Sequence, residues 1–210
     1  MLGIHHYWLF IVTAVILVIT PGQDTFFILG RSLASGRAAG IAAALGITAG
    51  SIIHTFLAAL GLSALLATSP YAFMAVKFAG AAYLIYIGVR ALLTRDAGLP
   101  GAERQVSGDG RWSAFRQGIV SNLLNPKVAL FFLALMPQFI AANSTHKVAA
   151  FLLLGLSFVA LGVIWCLVLA IGAAGLRGAF LRRPSMASML NKVAGTMFIA
   201  LGLRLATARQ

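Results

Sequence analysis

The sequence predicts an all-α protein whose six helices cross a membrane, and three observations support that fold class. The 210 residues are 60% hydrophobic and only 10% charged, with a mean hydropathy of +0.96. A soluble domain would carry about 25% charged residues. The apolar residues form six runs, each about the length of a helix that spans a bilayer. Because apolar and polar residues do not alternate within these runs, the runs indicate helices and not strands.

Short polar loops separate the six predicted spans. The spans cover residues 7–29, 39–67, 71–93, 112–140, 148–174 and 187–206. Residues 94–111 are rich in proline and glycine and contain three of the four acidic residues, so they form a linker. The chain is therefore predicted to consist of two three-helix units, residues 1–93 and residues 112–210.

Span 1 contains a proline and the only acidic side chain within an apolar run. Pro21 has no N–H and clashes with the preceding turn, so the carbonyl of Leu17 loses its helical partner. In a membrane such a break persists only where protein or a water-filled cavity satisfies the freed groups. Asp24 follows, and a carboxylate at that depth costs at least about 2.5–3.5 kcal/mol, which indicates a functional site. The segment Pro21-Gly22-Gln23-Asp24 is thus a candidate part of a transport site.

Span 4 repeats the pattern of span 1 at a constant separation of 105 residues. The corresponding positions are Pro21 and Pro126, Phe26-Phe27 and Phe131-Phe132, Tyr7 and Trp112, and Phe10 and Phe115. Spans 3 and 6 share a Lys-x-Ala-Gly element at Lys77 and Lys192. Because each unit has an odd number of spans, the second must enter the membrane in the opposite sense. The sequence therefore predicts inverted repeats, a common plan in secondary transporters.

The distribution of basic residues predicts the orientation in the membrane. The arginine-rich loops, between spans 1 and 2, 3 and 4, and 5 and 6, hold Arg31, Arg37, Arg90, Arg95, Arg104, Arg111, Arg116, Arg177, Arg182 and Arg183. The other side has only Lys147, Arg204 and Arg209. The positive-inside rule places the arginine-rich loops and the linker in the cytoplasm and both termini on the outer side. The arginine-rich loops account for the net charge of +12, and no motif indicates a nucleic-acid partner.

Charges of opposite sign accompany the two breaks. Asp24 lies just after the first break, and Lys127 directly follows Pro126 in the second. The helical segment that begins after each break presents free N–H groups, at residues 22–24 and 127–129. Such groups suit a carboxylate. A site with both signs fits a zwitterion. Two alternatives stay open, namely that the prolines are packing kinks and that Asp24 and Lys127 form a static ion pair.

Three further polar residues belong to the predicted site. Asn122 and Asn125 precede Pro126 at the second break and are expected to satisfy freed backbone groups, a role compatible with substrate binding. His54 in span 2 either relays protons or is hydrogen-bonded between helices. Asp24 could couple transport to protons, because a changing environment can load and release a proton at a carboxyl group. We expect no cofactor and no metal site.

These motifs together resemble the LysE/RhtB family of amino-acid exporters. The matching elements are Thr20-Pro21-Gly22 with Asp24, the glycine-rich span 2 with His54, Lys77–Leu84, and Asn122–Lys127 before Phe131-Phe132. The resemblance implies an antiporter in a bacterial inner membrane that exports small amino acids, driven by the proton motive force. The match is closer to the branch for threonine, homoserine and homoserine lactone. Family members usually have Pro-Gly-Pro in span 1, and here Gln23 replaces the second proline, which leaves the substrate open.

Other functions fit the sequence less well. A metal-ion exporter would need more acidic, cysteine or histidine ligands than the spans contain. An intramembrane enzyme would have only Asp24 with His54 as a reactive pair, and a scaffold would need neither break. We therefore expect a transporter and not an enzyme. The glycines of span 2, Gly36, Gly40, Gly46 and Gly50, permit close helix packing either within one subunit or in a homo-oligomer.

Overall fold

The computed structural model describes most of the chain and is almost entirely helical there. The described residues are 2–62, 70–93, 110–141, 143–182, 192, 195–196, 199–200, 202–203 and 206–207. Residues 94–109 of the predicted linker and most of predicted span 6 lie outside them. Within the described part, extended backbone pairs only at an isolated bridge between Ile4 and Ile140. The all-α class is confirmed there.

Seven α-helices follow one another along the described chain. They are α1 (Tyr7–Ile19), α2 (Gln23–Ser35), α3 (Arg37–Leu57), α4 (Pro70–Leu93), α5 (Arg111–Leu123), α6 (Pro126–Leu130) and α7 (Lys147–Arg182). A π-helical turn, Ala58–Leu62, extends α3, and a π-helical and a 3-10 turn, Phe131–Leu135 and Met136–Phe139, extend α6. Among the described residues, Arg37–Gly61 and Lys147–Ala173 could each cross a membrane, and the number rises to four if each bent pair is one span.

Both bent pairs have their break at a proline. Helices α1 and α2 meet at 45° around Pro21, and α5 meets the helix that begins at Pro126 at 47°. A proline can begin a helix, because the first N–H of a helix has no partner in any case, but it cannot continue one. The two bends therefore lie where the sequence predicts them.

Helix α2 is longer than predicted and contains a buried arginine. The prediction that Arg31 lies in a loop is wrong, because α2 continues to Ser35 and ends at Gly36, whose φ of 82° favours glycine. Arg31 is only 2% exposed. Its guanidinium donates a hydrogen bond to Gln117 Oε1 and lies 5.8 Å from the centre of the Phe27 ring. These partners allow the charged side chain to remain inside the helix bundle.

Helix α3 packs directly on α5 through glycines. A Cβ atom at Gly46 would collide with the backbone carbonyl of Phe115, and one at Gly118 would lie 2.5 Å from the carbonyl oxygen of Ala43. A Cβ atom at Gly50 would lie 2.8 Å from the side chain of Asn122. In the described chain, Gly46 and Gly50 thus pack within the subunit. This contact brings Asn122 of α5 towards α2.

A cluster of buried phenylalanines fills the core on one side of the breaks. Phe10, Phe131, Phe132, Phe139 and Phe158 are each at most 4% exposed. Neighbouring rings have centroid distances of 4.5 Å to 5.8 Å, from stacked to edge-on. Such arrangements are favourable for aromatic rings. The cluster joins α1 to the second break and to α7.

Candidate functional site

Lys127, beside the second break, donates hydrogen bonds to backbone carbonyls at the first break. Lys127 Nζ donates hydrogen bonds to the carbonyl oxygens of Leu17, at 3.1 Å, and Thr20, at 2.9 Å. The Leu17 carbonyl is the group that Pro21 deprives of its helical partner. The ammonium also lies at the negative end of the α1 dipole, where a cation is favoured. Gly22 leaves room for this contact, since a Cβ atom there would be 3.1 Å from Nζ.

The carboxylate of Asp24 is held by residues of α5. Asn122 Nδ2 donates to Asp24 Oδ2 at 2.7 Å, and Ser121 Oγ donates to Oδ1 at 3.4 Å. Asn122 is 1% exposed, and its Oδ1 accepts from Ser51 Oγ at 3.3 Å. Asp24 lies in the first turn of α2, where the helix dipole favours a negative charge. The acidic group is therefore fixed by contacts with α5.

Backbone groups at the second break are also hydrogen-bonded. Asn125 Oδ1 accepts a hydrogen bond from the backbone N–H of Lys127 at 3.0 Å and so caps α6, with Pro126 as its first residue. The Asn122 carbonyl, which Pro126 frees, accepts from the Asn125 backbone N–H at 3.0 Å and lies 3.4 Å from His54 Nε2. A carbonyl only accepts, so Nε2 carries the proton in this contact.

Asp24 and Lys127 line one cavity but form no direct ion pair in the described structure. The cavity measures about 50 Å³, room for more than one water molecule. Its wall is formed by Leu17, Val18, Asp24, Thr25, Ile47, Ser51, Asn122, Lys127, Val128, Phe158, Gly162, Trp165, Cys166 and Leu169. Because each charge has separate partners, the site presents a carboxylate and an ammonium to one mostly apolar space.

The nine predicted site residues thus fall into two groups. Asp24, Asn122 and Lys127 line the cavity. The other six, Pro21, Gly22, Gln23, His54, Asn125 and Pro126, form or surround the two breaks. Gln23 is exposed, and its side chain donates to the Ser121 carbonyl at 3.2 Å, joining α2 to α5. The His54 ring stacks on Phe132 with a centroid distance of 5.4 Å.

The contribution of α7 to the cavity does not follow from the sequence. Trp165 and Cys166 lie in its wall. Predicted span 5 has Ser157 as its one hydroxyl side chain, so no polar face marks the side that meets the site. One signal was present. Tryptophan in membrane proteins is concentrated at the membrane–water interfaces, and Trp165 lies well inside the long helix α7.

Comparison with known proteins identifies the family. Residues 15–209 match the LysE type translocator family. The chain is 34% identical over 205 residues to an uncharacterized membrane protein of Vibrio cholerae, covering 97% of this chain and 98% of the relative. It is 30% identical over 206 residues to the leucine efflux protein of Salmonella typhimurium, covering 98% and 96% of the two chains. No solved structure matches significantly. The protein therefore belongs to the LysE translocator family, as its motifs indicate, and is a multi-pass membrane protein of the amino-acid efflux type.

Proposed function

We propose that the protein is a proton-coupled secondary exporter of small neutral amino acids and that the cavity between the two breaks is its substrate site. One observation carries the proposal. A single carboxylate and a single ammonium, each held by separate partners, line a cavity whose other walls are mostly apolar. An amino-acid zwitterion has an ammonium for Asp24 and a carboxylate for Lys127. Small-molecule sites commonly combine apolar walls with a few such polar groups.

The walls favour an aliphatic side chain on the substrate. Leu17, Ile47, Phe158 and Leu169 contribute apolar surface, and relatives of the chain are leucine efflux proteins. The cavity also contains the hydroxyl-bearing Thr25 and Ser51, which suit threonine, homoserine or homoserine lactone. A basic side chain would bring a second cation close to Lys127. We therefore place leucine first among the substrates, with the hydroxylated amino acids next.

Reciprocal contacts between the units support the inverted-repeat arrangement that we propose for six spans. Leu17 and Asn122 are equivalent positions, because they are separated by the same 105 residues as the two prolines. Their carbonyls are the two that the prolines free, and each has a nitrogen of the other unit nearby, Lys127 Nζ for Leu17 and His54 Nε2 for Asn122. A rocking motion of one unit against the other would exchange these contacts and open the cavity to alternate sides.

Asp24 is the proposed site of proton coupling. The substrate ammonium and a proton both neutralise its carboxylate, so they compete for it. In a bacterial inner membrane, with both termini outside, a proton entering from the outer side would displace the amino acid there. Release of this proton to the cytoplasm would restore the negative charge of the carboxylate. The carboxylate would then bind the next amino acid from the cytoplasm.

Transport by the purified protein in liposomes tests the proposal. Liposomes loaded with unlabelled amino acid are given labelled leucine, threonine, homoserine or lysine outside, with and without a pH gradient. We expect counterflow of leucine and of the hydroxylated amino acids but not of lysine. Leucine efflux should be faster when the solution into which leucine is released is the more acidic one. Absence of counterflow for every neutral amino acid would contradict the proposal and favour a scaffold or enzyme.

A further inference from the structure

We propose that the indole N–H of Trp165 binds the carboxylate of the transported amino acid, an inference that rests on the proposed export function. Trp165 lies on α7 in the wall of the same cavity as Asp24 and Lys127. Its Nε1 atom is buried and has no hydrogen-bond partner among the described residues. Trp165 thus combines a place in the wall of the proposed substrate site with an indole N–H that no described residue accepts.

An unused donor at this position requires an explanation. A buried N–H without an acceptor is destabilising, and a buried tryptophan usually finds a partner for its N–H. Phenylalanine or leucine would supply an apolar wall without that cost. The Asp24 carboxylate in the same cavity already accepts from Asn122 and Ser121. An acceptor that arrives with the substrate accounts for the donor, and the carboxylate of an amino acid is such an acceptor.

The hydrogen bonds of Lys127 support this assignment. An ammonium has three N–H donors, and Lys127 uses two of them on the carbonyls of Leu17 and Thr20. One donor is left for the substrate. Trp165 supplies a second, so that each oxygen of a carboxylate has a donor, while Asp24 is left for the ammonium. The pair of donors would distinguish an amino acid from an amine of the same shape.

The variant Trp165→Phe removes the donor and keeps an aromatic ring in the wall. We expect the leucine concentration for half-maximal counterflow to rise about tenfold, the usual effect of a lost hydrogen bond to a charged group. Inhibition of leucine counterflow by 3-methylbutylamine, which is leucine without its carboxylate, should not change. Trp112→Phe is the matched control, because Trp112 is 68% exposed and lies outside the cavity wall.

Two results would overturn the assignment while the export function stands. One is an unchanged half-maximal leucine concentration in Trp165→Phe, and the other is an equal loss of affinity for leucine and 3-methylbutylamine, which indicates a packing role. If the wild-type protein transports no amino acid, the assignment fails together with the proposed function.

Fluorescence tests the same contact with Trp165 unchanged. The chain has three tryptophans, so Trp8→Phe with Trp112→Phe leaves Trp165 as the only one. Leucine should shift its emission and 3-methylbutylamine should not. Identical emission with and without leucine, in a protein that transports leucine, would contradict the assignment.

Discussion

Replacement of Asp24 by asparagine is expected to remove almost all leucine efflux driven by a pH gradient. Asparagine resembles aspartate in shape, and its side-chain oxygen can still accept the hydrogen bond from Asn122. It carries no charge for the substrate ammonium and takes up no proton. The charge pair that is lost is the one between Asp24 and the substrate ammonium. Loss of one member of a buried charge pair costs about 2–5 kcal/mol, so we expect the flux to fall roughly 100-fold. The measurement is the initial rate of efflux from liposomes under an imposed gradient.

Asp24→Glu is the matched control for this prediction. It keeps the carboxylate but displaces it by one methylene group, so part of the coupled flux should remain. Both variants should insert and purify like the wild-type protein, which thermal unfolding in detergent would verify. Undiminished pH-driven efflux in Asp24→Asn would show that another group couples transport to protons.

Replacement of Lys127 by methionine is expected to destabilise the protein as well as stop transport. Methionine fills similar space but leaves the Leu17 and Thr20 carbonyls without their partner. Each buried carbonyl left unsatisfied costs about 1–3 kcal/mol. We expect the midpoint of thermal unfolding in detergent to fall by roughly 5–10 °C, measured without substrate so that only the structural contribution appears. Counterflow of leucine should fall to background.

Lys147→Met makes the same chemical change at the start of α7, outside the cavity wall. It should leave both the unfolding midpoint and the transport rate close to those of the wild-type protein. If Lys127→Met unfolds at the wild-type temperature, the lysine does not hold the first break together. Its role would then be confined to the substrate.

The breaks could be predicted from sequence because their cause is local. A proline lacks an N–H wherever it occurs, so Pro21 and Pro126 indicate an interruption in any apolar helix. Capping is local too, and the Asn125 side chain bonds a backbone N–H only two residues away. The polar residues beside each break followed from the cost of burying them in a membrane. This much of the site needs no knowledge of the tertiary structure.

Hydrogen bonds between residues far apart in the sequence could not be predicted in the same way. Lys127 bonds carbonyls 107 and 110 residues earlier in the chain, and Asn122 bonds Asp24 over 98 residues. These contacts depend on the packing of α3 against α5, where Gly46 and Gly118 allow the backbones to approach. Sequence alone placed Lys127 and Asp24 at one site but left open whether they pair directly.

Local sequence patterns also did not predict the position of a buried charged residue, or which side of an apolar helix meets the cavity. Arg31 was predicted to lie in a loop because charged residues are rare in membrane spans. Its guanidinium instead lies inside the bundle, where it donates a hydrogen bond to Gln117 and packs near the Phe27 ring. Between residues 148 and 174, helix α7 has Ser157 as its one hydroxyl side chain and apolar residues all round, as expected of a buried or lipid-facing helix. Only the packing of the bundle shows that Trp165 and Cys166 face the cavity.

Alkylation of Cys166 decides whether the cavity holds the transported amino acid. Cys166 is the chain's single cysteine and lies in the cavity wall. Leucine at about ten times its Kd should slow the reaction of Cys166 with N-ethylmaleimide roughly tenfold, because an occupied site is closed to the reagent. A cysteine introduced as Ser35→Cys with Cys166→Ser, at the exposed end of α2, should react at the same rate with or without leucine. An unchanged Cys166 rate in a protein that transports leucine would place the substrate elsewhere and contradict this account.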